Sequence, residues 1–275
     1  MSPEYIKYIN LSLWDVAIAA SLILISGAIS VGLRLGLERR LALAAVRTVV
    51  QLLLIGLVLL WIFAPGRPWH FVVGLATVMT LIAGGAAVRR TERRYRGVWL
   101  DSVISMWTSS WLVAAVALFV VIRVQRHEGV WFPPQYIIPL LGMILGNTLN
   151  GISLGFDRLG EELAGKRDQV ETALAMGATR WEAARPAIQT AVRTGMVPTI
   201  NSMMVVGLVS LPGMMTGQLL GGMNAMQAVM YQIVIMFVIA AGTALGTVCI
   251  VLLSYRRLFT PHHQFVAVRL AKRRP

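Results

Sequence analysis

Apolar residues run along this chain in long stretches, and short segments between them hold nearly all of the charge. Each stretch reaches or approaches the roughly 17–25 residues that a helix needs to cross a hydrocarbon core about 30 Å thick. Seven spans are read, at residues 11–33, 41–63, 70–88, 98–122, 136–156, 188–211 and 225–253. From Thr194 to Tyr255 the chain contains no Asp, Glu, Lys, Arg or His. As one straight helix that stretch would be roughly 90 Å long, about three times the core, so it folds back at least once. The segment SLPGMMTGQLLGG, with Pro212 followed by Gly213, Gly217, Gly221 and Gly222, marks the turn. The pattern predicts an all-α polytopic bundle in which residues 1–275 form a single transmembrane domain. Leading into the uncharged stretch, Asp168 to Gly195 has the mixed-charge pattern of an amphipathic helix and overlaps a polar loop of about 157–187.

Composition agrees with a membrane protein, since 57% of residues are hydrophobic and 13% charged. Nearly the whole length is taken up by spans, so an energy-coupling enzyme is expected to be another chain. The net charge of +13 would point to nucleic acid in a soluble protein, but its distribution points to orientation instead. Twenty of the 25 Lys and Arg fall on one face of the predicted bundle: Arg34, Arg39 and Arg40; Arg89, Arg90, Arg93, Arg94 and Arg96; six from Arg158 to Arg193; and six from Arg256 to Arg274. The opposite face has Lys7, Arg67, Arg123 and Arg126, and Arg47 lies inside a span. The positive-inside rule then predicts an external N-terminus, a cytoplasmic C-terminus and an odd number of spans. No nucleic-acid partner is expected; the surrounding partner is membrane lipid. The run from Leu11 to Leu33 is longer than the apolar core of a secretory signal, so it reads as a retained first span.

Small residues recur four apart at Gly32/Gly36, Gly142/Gly146, Gly151/Gly155, Gly217/Gly221 and Gly242/Gly246, a spacing that lets helix backbones approach closely in lipid. Gly142, Gly146 and Asn150 follow one face of the fifth span, with Asn147 beside them. These amides either hold the bundle together or line a substrate path, as does Asn201 in the sixth span. Arg47 and Gln51 lie one turn apart in the second span. Arg47 either serves a buried function or snorkels to the interface seven residues from Arg40. Asp101, close to the arginine cluster, is expected to form a structural ion pair. Nine of the fourteen methionines lie between Met196 and Met236, Met214 and Met215 among them. Thioethers are adaptable packing for sliding helices and also soft metal ligands, so no metal site is assigned.

Several chemistries are excluded. Gly160, Gly165 and Lys166 have the spacing of a phosphate-binding loop, but Arg167 stands where Ser or Thr would hold Mg²⁺ and no buried strand precedes it. The histidines show no catalytic or ligand arrangement, and the single cysteine, Cys249, allows no internal disulfide. An ATPase-independent secondary transporter or channel stays the alternative function; it would need a relay of buried carboxylates, and only Asp15 and Asp101 are available, both near span ends. No catalytic residue is assigned.

Three segments carry a resemblance: MILGNTLNGISLGFDRL (Met143 to Leu159), ALAMGATRWEA, and VPTINSMMVVGLVSLPGMMTGQLLGG (Val197 to Gly222), with RTVVQLLLIG from Arg47 in addition. Together they resemble the FetB family of bacterial permeases, which is associated with iron export and has relatives among plant aluminium-tolerance membrane proteins. Glu171-Thr-Ala-Leu-Ala-Met-Gly177 is similar to the opening of the cytoplasmic coupling loop of ABC transporter permeases. The Ile-x-Leu-Pro that often closes that loop is present here only as Ile188-Gln-Thr.

The resemblance implies a multi-pass permease of the bacterial inner membrane that exports iron or a related metal ion. It implies a separate cytoplasmic ATPase using ATP and Mg, and two copies of each chain. This chain is expected to bind no cofactor of its own. Glu171, Ala173, Gly177 and Trp181 would form and anchor a short coupling helix parallel to the membrane. Pro212 and Gly213 would be a pliable hinge, and Arg47, Gln51, Asn147, Asn150, Asn201, Met214 and Met215 would line the path. A small organic solute is the alternative cargo.

Overall fold

The structure, a computed structural model, describes residues 12–64, 68–123 and 134–272. Lys7, Arg67, Arg126, His127, Arg273 and Arg274 lie outside the described residues. The helices are α1 (Leu13–Gly32), α2 (Glu38–Ile62), α3 (Trp69–Arg89), α4 (Val98–Ala115), α5 (Pro134–Gly165), α6 (Arg167–Ala175), α7 (Arg180–Val205), α8 (Gly213–Leu220) and α9 (Ala225–Leu258). A π-helical stretch, Val116–Ile122, prolongs α4, and two-residue strands β1 (Arg93–Arg94) and β2 (Ala271–Lys272) pair antiparallel.

Six of these helices are long and apolar enough to cross a membrane: α1, α2, α3, α4 with its π-helical extension, α5 and α9. The protein is an all-α membrane bundle. The predicted sixth span is α7, whose 26 residues rise about 39 Å. Its polarity, with Arg193, Gln189 and Asn201 in its length, keeps it out of the apolar set. It also starts earlier and ends earlier than the predicted 188–211.

The chain divides into two compact units. One comprises residues 1–68 with 220–222, the other 69–219 with 223–275. In the first, α1 and α2 form a hairpin whose turn is built around Ser30. The Ser30 hydroxyl donates to the Glu38 carboxylate at 3.0 Å and accepts from the Leu37 amide at 2.9 Å, while Arg34 and Gly36 take left-handed backbone angles. Opposite the turn, Ser12 and Asp15 form a capping box that starts α1.

In the second unit, α5 packs against α3, α4, α7 and α9. Close approaches of Ile144 to Gly242, Thr148 to Gly246 and Gly155 to Val251 show that α5 and α9 run parallel. Gly151 meets Gly195, and Gly155 meets Ala191, so α7 runs antiparallel between them. Buried hydroxyls turn to backbone carbonyls: Ser102 to Gly84, Ser105 to Asp101, Ser109 to Ser105 and Ser153 to Ala87, all within 2.9 Å. Such pairing lets α4 bury Ser102, Ser105 and Ser109 in the middle of a bundle.

Candidate functional site

The predicted polar loop of 157–187 is mostly helical. Ion pairs at helical spacing carry α5 past the apolar stretch: Arg158 to Glu161 and Glu162, then Lys166 to Glu162. The Lys166 ammonium and then Arg158 hold the Glu162 carboxyl below its usual range, against the opposing effect of its burial. After a break at Lys166, α6 begins, and Arg167 reaches Glu171 at 2.6 Å along its surface. Glu171 therefore supports its own helix, and the Arg167 guanidinium is held more firmly protonated by it.

The sharp stop after α6 has an identifiable cause. Gly177 has φ +93°, its amide donates to the Leu174 carbonyl at 3.1 Å, and the next amide, of Ala178, donates to Ala173 at 3.0 Å. This is a Schellman closure, which asks for glycine because a side chain is strained at that angle. Two residues later Thr179 caps α7, accepting from the Glu182 amide while the Glu182 carboxylate accepts from the Thr179 amide and hydroxyl. Those bonds, led by the backbone amide, lower the Glu182 pKa from its ordinary value. α6 and α7 thus meet in a rigid elbow. At its tip Met176 is 83% exposed, a large apolar side chain beside Gly177. Ala173 is half-buried and Val170 buried beneath it.

Trp181 is exposed over part of its ring and packs within the protein over the rest. Its ring meets Tyr255 edge-on with centroids 5.6 Å apart, and Tyr255, Phe259 and Phe265 continue the cluster. The first amide of α7, on Arg180, donates to Nδ1 of His263 at 2.9 Å, and the Arg180 side chain reaches the Thr260 carbonyl. The segment after α9 therefore clasps the elbow and then pairs through β2 with β1 beyond α3. Beside that clasp, Asp101 is buried and does form the expected ion pair, with Arg257 at 3.3 Å. It also accepts from the Tyr95 hydroxyl at 2.6 Å. Burial first, and Asp101 second, push the Tyr95 pKa far above its ordinary value.

From the elbow, α7 leads to a three-helix junction that the spacing of glycines only partly reveals. A Cβ added at Gly195 would lie 2.5 Å from Thr247 Cγ2 and 2.7 Å from the Gly151 carbonyl oxygen. One at Gly151 would lie 2.5 Å from Thr247 Oγ1. Of the predicted pairs, Gly151/Gly155 and Gly242/Gly246 make close approaches, whereas Gly32, Gly36, Gly146, Gly217 and Gly213 have nothing within 4 Å. Around the junction, the fully buried hydroxyls of Thr148, Thr243 and Thr247 have no hydrogen-bond partner among the described residues. Gly195, Thr243 and Thr247 are absent from the sequence-derived set. For Gly195 the signal is the small-residue ladder Ala187, Ala191, Gly195 at four-residue spacing; Thr243 and Thr247 carry no comparable signal.

The residues assigned to the path lie in several places. Arg47 and Gln51 share an exposed face of α2 in the first unit. Asn147 is half-buried and donates to the Met143 carbonyl of its own helix at 2.9 Å. Asn150 is exposed and accepts from Arg90 at 2.8 Å, which ties α5 to the end of α3. Asn201 is exposed on α7, and the antiparallel register of α5 and α7 puts it near the level of Asn147. Met214 and Met215 are half-buried in α8. Pro212 does not interrupt a helix; its carbonyl accepts from the Thr216 amide at 3.0 Å, so Pro212 and Gly213 start α8. Among the described residues no group of three or more His, Cys, Asp or Glu could hold a metal ion.

The family model described as "Uncharacterised protein family (UPF0014)" matches residues 13–259. A UPF0014 membrane protein of Synechocystis is 38% identical over 84% of this chain and 88% of its own length. The probable iron export permease protein FetB of Escherichia coli is 30% identical over 96% of this chain and 98% of its own. The Arabidopsis thaliana protein ALUMINUM SENSITIVE 3 is 28% identical over 90% of this chain and 88% of its own. No solved structure matches the chain.

Proposed function

This chain belongs to the UPF0014 family of membrane proteins, and on that premise we propose that it is the permease subunit of an ATP-driven exporter of iron or a related metal ion. It is a multi-pass membrane permease of the bacterial inner membrane, a transport subunit and not an enzyme. A separate cytoplasmic ATPase supplies the energy, and two copies of each chain assemble. The permease acts as one transmembrane domain with seven spans, α7 included, its N-terminus external and its C-terminus cytoplasmic. Reporter fusions after Arg96 and after Arg257 should both read cytoplasmic, and an external reading for either contradicts this orientation.

The observation that carries the proposal is the elbow. An exposed Met176 beside a left-handed Gly177 offers a compact apolar knob on the positively charged side of the bundle. Behind it, capping bonds and the aromatic clasp join it to both α7 and α9 without a slack segment. A push on the elbow by an ATPase would therefore tilt α7 against α5 and α9 at the Gly151–Gly195–Thr247 junction. There the small residues let the backbones slide past one another, and three unpaired hydroxyls would find partners in a second packing arrangement. Glu171, Ala173 and Gly177 shape the coupling element, while Trp181 ties it to α9. Iron as cargo rests on the name of the Escherichia coli relative. The donors we assign to the path within the second unit are the amides of Asn147, Asn150 and Asn201 and the thioethers of Met214 and Met215, and the Pro212–Gly213 start of α8 would act as the hinge.

Two variants test the coupling. Gly177→Trp strains the Schellman closure, and Met176→Glu places a charge on the knob; neither touches the membrane core. Both should leave the permease folded while lowering permease-stimulated ATP hydrolysis and transport at least tenfold, a loss of about 1.4 kcal/mol in coupling. Normal binding of the ATPase and normal transport by both variants would remove the elbow from the mechanism.

A further inference from the structure

The hairpin of α1 and α2 lines an open groove of about 660 Å³, within the roughly 300–1,000 Å³ typical of small-molecule sites. Its walls include Ala20, Ile23, Ala45 and Val49, with Ser26 and Thr48 as the polar members. Both hydroxyls are turned away into their own helices: Ser26 donates to the Leu22 carbonyl at 3.1 Å and Thr48 to the Ala44 carbonyl at 2.9 Å. The groove therefore presents mainly hydrocarbon, with both hydroxyl hydrogens already spent. A polar solute or a metal ion would find too few partners there to replace its hydration, whereas an acyl chain needs none.

The depth of the groove points the same way. Along α2 it runs from Leu41 to Val50, a rise of about 14 Å, and half of a hydrocarbon core is about 15 Å. It thus spans one leaflet, the one that meets the hairpin turn. That turn carries Arg34, Arg39 and Arg40, all exposed and none paired with a carboxylate among the described residues. The turn's one acid, Glu38, is held by the Ser30 hydroxyl.

We propose that the α1–α2 hairpin is a binding site for one anionic phospholipid of the cytoplasmic leaflet, its acyl chain in the groove and its phosphate among Arg34, Arg39 and Arg40. Charge complementarity selects the headgroup, and the dry groove distinguishes a seated lipid from the diffuse attraction that any basic loop has for an anionic surface. The site does not depend on the cargo or on the ATPase; only its assignment to the cytoplasmic leaflet rests on the orientation proposed above.

Native mass spectrometry of the purified full chain tests this, with phosphatidylglycerol and phosphatidylcholine of identical acyl chains offered in equal amounts. The wild type should retain one phosphatidylglycerol in preference, with about a fivefold contribution from each arginine. Replacing Arg34, Arg39 and Arg40 by Gln should abolish the preference while leaving the exposed turn folded. Ala20→Phe and Ala45→Phe, which fill the groove and keep the arginines, should reduce retention of both lipids. Equal retention of the two lipids by the wild type overturns the proposal, and so does retention unaffected by groove filling. Efficient disulfide formation between two copies of an Ala45→Cys variant in lipid membranes would also overturn it, by showing that a second copy fills the groove.

Discussion

Replacing Gly195 by alanine would place a methyl carbon 2.5 Å from Cγ2 of Thr247 and 2.7 Å from the carbonyl oxygen of Gly151. Carbon atoms in contact rest about 3.5–4.0 Å apart, so α7 must retreat by about 1 Å from both neighbours or the threonine must turn. The threonine is fully buried and the carbonyl is backbone, which leaves the helix to move. Overpacking of this kind costs about 1–3 kcal/mol, set against a gain of up to about 1 kcal/mol from putting alanine for glycine in a helix. Gly146→Ala supplies the control, because a Cβ there meets nothing within 4 Å and only the gain applies. The difference between the two variants, about 1–3 kcal/mol, isolates the junction. It is read from reversible unfolding in mixed detergent micelles, followed by tryptophan fluorescence. Adding Thr247→Ala to Gly195→Ala should restore part of the loss, with a coupling of about 0.5–3 kcal/mol. If Gly195→Ala and Gly146→Ala unfold at the same denaturant, the helices do not meet as described.

Two further outcomes follow from the elbow and the methionines. The Glu182 carboxylate has a pKa lowered by its capping bonds to Thr179, so its contribution is full above the ordinary Glu value and is lost as pH falls through the lowered one. Acidification should therefore fray the start of α7, seen as lower amide protection factors at Thr179 and Glu182 after correction for the intrinsic slowing of exchange in acid, and Glu182→Gln should flatten that pH dependence; an unchanged profile would count against the cap. Replacing Met214 and Met215 together by Leu keeps volume nearly constant while removing both sulfurs. Metal efflux should fall with expression unchanged if the thioethers contact cargo, and undiminished efflux would remove them from the path.

Length and hydropathy made six membrane helices legible, since period and charge both change at their ends. α7 was harder to read. Its start was available in the spacing Thr179-Arg-Trp-Glu182, the pattern of a capping box, yet its arginines and prolines made it look like loop. The same charges misled at the end of α5. Arg158, Glu162 and Lys166 stand four apart and extend the helix instead of ending it. Trp181 and Asn150 could not be placed from the sequence, because their partners, Tyr255 and Arg90, are distant along the chain and meet them only once the bundle has folded. Asp101 was legible as half of an ion pair, and Arg257 as its partner was not.

We propose that this permease moves metal only when a separate ATPase drives it. The most direct measurement is uptake of radioactive iron into inside-out vesicles containing this chain with and without its cytoplasmic ATPase, with ATP or a non-hydrolysable analogue. Accumulation against a gradient should require both chains and hydrolysable ATP, and Gly177→Trp should abolish it. Equal movement of iron by the permease alone, without nucleotide, would contradict the account.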